Sequence, residues 1–188
     1  MALDVPNFGT PDDTLMAVTF GALLAVLGGF LAARLEAWIS RHERERDAAL
    51  LLGEIVFTFV MLMKMAIEAK GVGDPYGPIT LRLLHAARRE ADAYDRNRER
   101  LTEMRDPALR ILTHKLMVSI TMSLDGIFEN TQRLAGKLPK AEADDLAAQR
   151  ERGLTFIADT LPQFEGVLAQ LSRLAKVSFD GHEALARA

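Results

Sequence analysis

From Thr14 to Ala33 the chain reads TLMAVTFGALLAVLGGFLAA, 20 residues without one charged side chain. At ~1.5 Å per residue, a helix of this length is roughly 30 Å long, the thickness of the hydrocarbon layer of a bilayer. Such a helix is apolar on every side, so a water-soluble fold would have to enclose it completely. The run predicts an uncleaved transmembrane helix. A secretory signal peptide is the competing reading, and it asks for a positive leading region, a shorter apolar core and a small-x-small cleavage site. Met1–Asp13 instead holds no Lys or Arg, carries Asp4, Asp12 and Asp13, and no A-x-A follows the run.

Positive residues on the flanks set the expected orientation. The leading flank has none, whereas Arg34, Arg41, Arg44 and Arg46 follow the run closely. The short acidic tail is therefore expected outside and the bulk of the chain in the cytoplasm, crossing the membrane once. Arg34 and Trp38 suit an anchor at the membrane–water interface. Ala17, Gly21, Ala25, Gly29 and Ala33 recur at every fourth position, with Gly28 beside them. Small residues at this spacing let two membrane helices approach closely, so this face predicts self-association.

Arg34–Asp47 is dense in mixed charge, four Arg against four acids, and continues the helix as a solvated stalk. Its local neutrality weakens any attraction to anionic lipid beyond the first turn. Ala48–Ile67 is harder to place. Ala48, Leu52, Ile55, Phe59, Leu62 and Ala66 form a heptad seam, yet Val56, Phe57, Val60, Met61, Met63 and Met65 make most of the circumference apolar. Only Glu54 and Lys64 interrupt it. A second membrane span would carry Glu54 in its middle, which is costly, so the central helix of a cytoplasmic bundle is the preferred reading. A two-span hairpin with residues 48–67 in the bilayer is the alternative.

The breaker cluster Gly71–Pro78 (GVGDPYGP) predicts a loop, with Tyr76 packed back on the bundle. Ile79–Arg105 reads as one amphipathic helix. Leu84, Ala87, Ala91, Tyr94, Arg98 and Leu101 lie on one face, and Arg/Asp/Glu pairs such as Arg88–Asp92 and Arg96–Glu99 on the other. Asp106-Pro107 is a helix start, with Asp as N-cap and Pro at the first helical position. The helix that follows carries Leu109, Leu112, Leu116, Ile120, Leu124, Ile127, Phe128 and Leu134 to about Gly136, with Ser119, Thr121 and Ser123 able to bond back to helix carbonyls. Leu138-Pro139-Lys140 makes a short antiparallel connection. The last helix, Lys140–Val177, holds Leu154, Ile157, Leu161, Phe164, Leu168, Leu171 and Ala175 in a coiled-coil-like seam. Pro162 is expected to kink or restart it near Thr160.

The whole is an all-α protein: an acidic N-tail (1–13), a transmembrane helix (14–33), a charged stalk (34–47), an antiparallel bundle of about four helices (48–178) and a frayed tail (179–188). Over Met1–Asp47 this layout resembles that of small bacterial inner-membrane proteins, a resemblance that carries over no functional residue.

Chemistry is sparsely signalled. There is no cysteine, in keeping with a reducing compartment, and the four histidines, His42, His85, His114 and His182, show neither HExxH nor ExxH spacing. No phosphate-binding, dinucleotide, esterase or kinase motif occurs. Basic residues are interleaved with acids, which argues against nucleic acid. His85 and His114 fall on neighbouring helices and could approach one another. No catalytic residue, cofactor or metal is predicted. The leading expectation is a non-enzymatic, membrane-anchored interaction or scaffold protein, forming a homo-oligomer or part of a membrane complex. A sensor or ligand-binding bundle, with a buried polar site at Glu54, the Met61–Met65 cluster and His114, is the alternative.

Overall fold

A computed structural model of the chain describes residues 11–72 and 75–179, with side chains from Val18 onward. All its regular structure is helical: α1 (Pro11–Val72), α2 (Pro78–Asn97), a 3-10 helix (Arg98–Glu103), α3 (Pro107–Leu134) and α4 (Lys140–Ala175). The chain divides into two compact units, Met1–Glu43 and Arg44–Ala188.

In the first unit, α1 is exposed from Val18 through Ile39. The outward side chains include Val18, Phe20, Leu24, Leu27, Phe30 and Leu31.

The second unit is a four-helix bundle of up-down-up-down topology. Along α1 and α4 the paired positions run in opposite directions. Arg46 Nε donates to the Ala175 carbonyl at 3.2 Å, the Phe59 and Phe164 rings lie 5.6 Å apart, and Lys70 meets Glu151. Helices α2 and α3 run oppositely too, with Arg88 Nε 2.7 Å from Asp125 Oδ1 and Tyr94 Oη 3.2 Å from His114 Nδ1. Across α3 and α4, Arg133 bridges Glu142 at 2.9 Å. Higher up, a Cβ on Gly153 would stand 3.2 Å from Ile127 Cγ1, so glycine permits the close approach there.

Periodicity accounts for most of the core. All seven predicted seam positions of α4 are buried, as are Leu84, Ala87, Ala91 and Tyr94 of α2. In α1, Ala48, Leu52, Ile55, Phe59 and Ala66 are buried, joined by Ala49, Val56, Val60 and Met63. The apolar stretch 48–67 is thus the core helix of the bundle, and each fully buried Leu, Ile or Phe contributes about 1.5–3 kcal/mol. The α1 helix from Val18 contains an 18-residue window of mean hydropathy 2.1, and α3 one of 1.2; 44% and 33% of these windows are buried. Since residues 18–39 are exposed, a window so far buried draws on the bundle portion of α1.

Several local expectations differ from the structure. The predicted helix Ile79–Arg105 stops at Asn97, tightens into the 3-10 turn, and reaches Met104 in extended form. Leu101 and Met104 are both buried, while Arg98, which α-helical spacing places on the apolar face, is exposed. The stalk ends earlier than Asp47, because Glu45 is buried and belongs to the bundle. Helix α4 does not restart at Thr160 but continues through Pro162 to Ala175. Thr160 Oγ1 donates to the Phe156 carbonyl at 2.7 Å in the turn before it.

Asp106 caps α3 as its sequence predicts, accepting from the backbone N–H groups of Ala108 (2.8 Å) and Leu109 (3.3 Å). Thr121 and Ser123 bond back to the carbonyls of Met117 and Ser119. Phe179, assigned to the frayed tail, is half-buried against the bundle. Residues 1–10, 73–74 and 180–188 lie outside the described residues, among them the early acidic tail and His182.

Candidate functional site

The first unit presents an apolar helix with a ladder of small residues. Gly21, Ala25, Gly29 and Ala33 are all exposed, one turn apart at about 6 Å of rise per four residues. A Cβ added at Gly21, Gly28 or Gly29 would meet nothing within 4 Å. The side chain of Ala17, the first rung, lies outside the described residues. The ladder is a smooth strip between larger side chains such as Leu24 and Leu31, and a second helix could approach its backbone there.

Arg34 and Trp38 follow at the charged end. The Arg34 guanidinium carbon lies 5.8 Å from the centre of the Phe30 ring, one turn back. The Trp38 ring sits 4.0 Å from that of His42, whose Nδ1 donates to the Trp38 carbonyl at 2.9 Å. Both Arg34 and Trp38 are exposed. A cation and an indole within two turns of an apolar helix match the chemistry of an interfacial belt.

In the second unit the polar site considered at Glu54 and His114 does not form. Both residues are exposed, so neither is a buried polar group in need of a ligand. Met61 and Met65 also face outward, at 42% and 46% exposure, while Met63 is fully buried. The reason is register: the seam through Leu52, Ile55 and Phe59 turns Glu54 away from the core. His114 instead pairs with Tyr94, whose hydroxyl burial pushes up in pKa. His85 stacks flat on Phe128, with centroids 4.2 Å apart. Phe128 and His114 are 14 residues apart on α3, about 21 Å along the axis, so the two histidines do not meet. Among the described residues no group of three His, Asp or Glu could hold a metal ion.

A polar clasp that sequence reading missed joins the α1–α2 connection to α4. Tyr76 Oη donates to Glu151 Oε2 at 3.0 Å, Lys70 meets the other carboxylate oxygen, and the Arg150 guanidinium lies 3.5 Å above the Tyr76 ring. Hydrogen bonding from Lys70 holds the Glu151 carboxyl below its ordinary range, while burial, then the bond to Glu151, pushes the Tyr76 phenol up. Arg150 Nε is buried without a hydrogen-bond partner, which leaves the ring face as its compensation. The signal in sequence was only the aromatic in a Gly/Pro loop; its partners on α4 come 74 and 75 residues later. The clasp is structural: Lys70 and Tyr76 share the Glu151 carboxylate, and Arg150 rests on the Tyr76 ring.

No protein-family model, curated protein or solved structure matches the chain.

Proposed function

We propose that this chain is a membrane-anchored, non-enzymatic interaction module. The helix at 14–33 crosses the bilayer once, with the N-terminus outside and the bundle in the cytoplasm. The observation that carries this reading is the first unit itself: every described side chain from Val18 to Ala33 is exposed and none is charged. In water such a surface would far exceed the apolar patches that monomeric proteins expose, whereas a bilayer solvates it. The layout supports a bacterial inner membrane, and the Arg-bearing flank supports the orientation. Self-association runs along Ala17, Gly21, Ala25, Gly29 and Ala33, and the bundle then offers its charged faces to cytoplasmic proteins.

Two measurements test it. Protease added to sealed vesicles of each orientation should cut the 73–77 connection only from the cytoplasmic face; cutting only from outside overturns the single-span topology. Crosslinking in native membranes should yield a homo-oligomer that Gly21→Leu with Gly29→Leu weakens about ten-fold, given the ~1–2 kcal/mol typical of such contacts. Unchanged crosslinking removes the small-residue face from the proposal.

A further inference from the structure

Between α1 and α4 the bundle has a surface groove of about 700 Å³. That is within the ordinary range for small-molecule sites. Its floor is apolar, made by Phe57, Val60, Leu168 and Ala169. One end is closed by the Lys64–Glu165 ion pair at 2.6 Å, a neutral unit. The other end carries Arg173 and Lys176, and Phe179 forms a wall beside them. Phe179 is seated there because α1 has Gly53 opposite: a Cβ at that position would stand 2.2 Å from Phe179 Cζ.

The charges at the two ends are not alike. At the far end Lys64 is neutralised by its bridge to Glu165. Among the described residues, neither Arg173 nor Lys176 bridges a carboxylate; Arg173 Nε donates only to the Ala169 carbonyl, at 3.3 Å. Lys176 also has a left-handed backbone, φ 57°, at the helix-ending position usually given to glycine. A lysine held in that conformation puts a cation at the groove mouth at the expense of backbone ease. From Glu165 to Lys176 is about 16 Å along the helix, the length of a medium acyl chain.

An apolar trough with a neutral far end and, at its mouth, two cations that bridge no carboxylate among the described residues is complementary to one chemical class. We propose that this groove binds a single-chain anionic amphiphile, a fatty acyl carboxylate, with the carboxylate at Arg173 and Lys176 and the chain lying over Val60 and Leu168 toward Lys64.

The chain has no cysteine, so one introduced thiol is a unique reporter. Ser172→Cys in the groove is the conservative choice, and Ala169→Cys replaces it if circular dichroism shows lost helicity. The full chain in phosphatidylcholine nanodiscs is reacted with a water-soluble maleimide in the presence of dodecanoate. Labelling should slow as one plus ligand over Kd, reaching about ten-fold when dodecanoate stands about nine times above its Kd. Dodecanol should leave the rate unchanged, and Arg173→Gln with Lys176→Gln should abolish the protection. Equal protection by dodecanol, or none by dodecanoate, overturns the proposal. So does protection by phosphatidylglycerol nanodiscs alone, which would assign the cations to bilayer lipid. A several-fold rise in labelling on deleting residues 180–188, with no effect of dodecanoate, would give the groove to the chain's own C-terminus and equally overturn it.

Discussion

The carboxylate of Glu45 accepts the backbone N–H of Arg105 at 2.9 Å and lies 3.4 Å from the Arg105 guanidinium. The two residues are 60 positions apart, and Glu45 is only 8% exposed. The contact ties α1, at the start of the bundle, to the turn between the 3-10 helix and α3. It satisfies an N–H where the backbone has left helical winding at Met104. Glu45→Ala should therefore destabilise the bundle by about 2 kcal/mol, the scale of a hydrogen bond to a charged group. Glu45→Gln should lose less, because the amide oxygen can still accept from Arg105. Chemical denaturation of both variants measures the difference, and equal losses would assign the effect to packing alone.

Gly53 and Phe179 form a pair whose coupling has a definite sign. Ala in place of Gly in a helix stabilises by up to about 1 kcal/mol. Here the new Cβ displaces the Phe179 ring, whose partial burial contributes about 1–2 kcal/mol. Gly53→Ala should be neutral to destabilising in the native chain and stabilising in a Phe179→Ala background. A double-mutant cycle reads the coupling directly. Additive effects would show that Phe179 does not rest on Gly53 in solution.

The clasp at Tyr76 sets an acid-side dependence. Hydrogen bonding by Lys70 lowers the Glu151 pKa from its ordinary 4.5, so the folded state holds the proton less tightly than the unfolded chain. The resulting stability is present above pH 4.5 and is lost as pH falls through the lowered value. Glu151→Gln should flatten stability below pH 4.5 and leave the slope near neutrality unchanged. Tyr76→Phe should keep the stacking of Arg150 and cost about 1 kcal/mol for the lost hydrogen bond, whereas Tyr76→Ala should cost about 1 kcal/mol more as the cation–π contact goes. A similar loss for Phe and Ala would mean that the ring face contributes nothing.

Pro162 interrupts hydrogen bonding inside α4 without breaking it. Its ring is exposed, and it cannot donate to the Ala158 carbonyl one turn earlier. Proline in a helix interior costs about 3 kcal/mol, and replacing it returns up to about 1 kcal/mol of entropy to the unfolded chain. Pro162→Ala should thus stabilise the bundle by about 2 kcal/mol, visible as a raised denaturation midpoint. A destabilised variant would show that the helix has been built around the proline.

Much of this protein follows from local rules. A run from Thr14 to Ala33 without charge determines a long, uniformly apolar helix. The three–four spacing from Leu154 to Ala175 determines which side of α4 is buried, and Asp106-Pro107 determines where α3 begins. These signals act within a few residues, through backbone hydrogen bonding and side-chain period, so they are legible one segment at a time. The meeting of segments is not. Glu45 with Arg105, Phe179 with Gly53, Tyr76 with Glu151 and Arg150, and His85 with Phe128 all depend on how far one helix is slid along another. That register is chosen by the volumes of the core side chains together, among them Phe59, Phe164, Met104 and Ile127, and by the tightening after Asn97. The same register turned Glu54 and His114 outward and brought Arg173 and Lys176 together at the end of a groove. Periodicity decides which face of a helix is buried; only close packing decides what each residue on that face will touch.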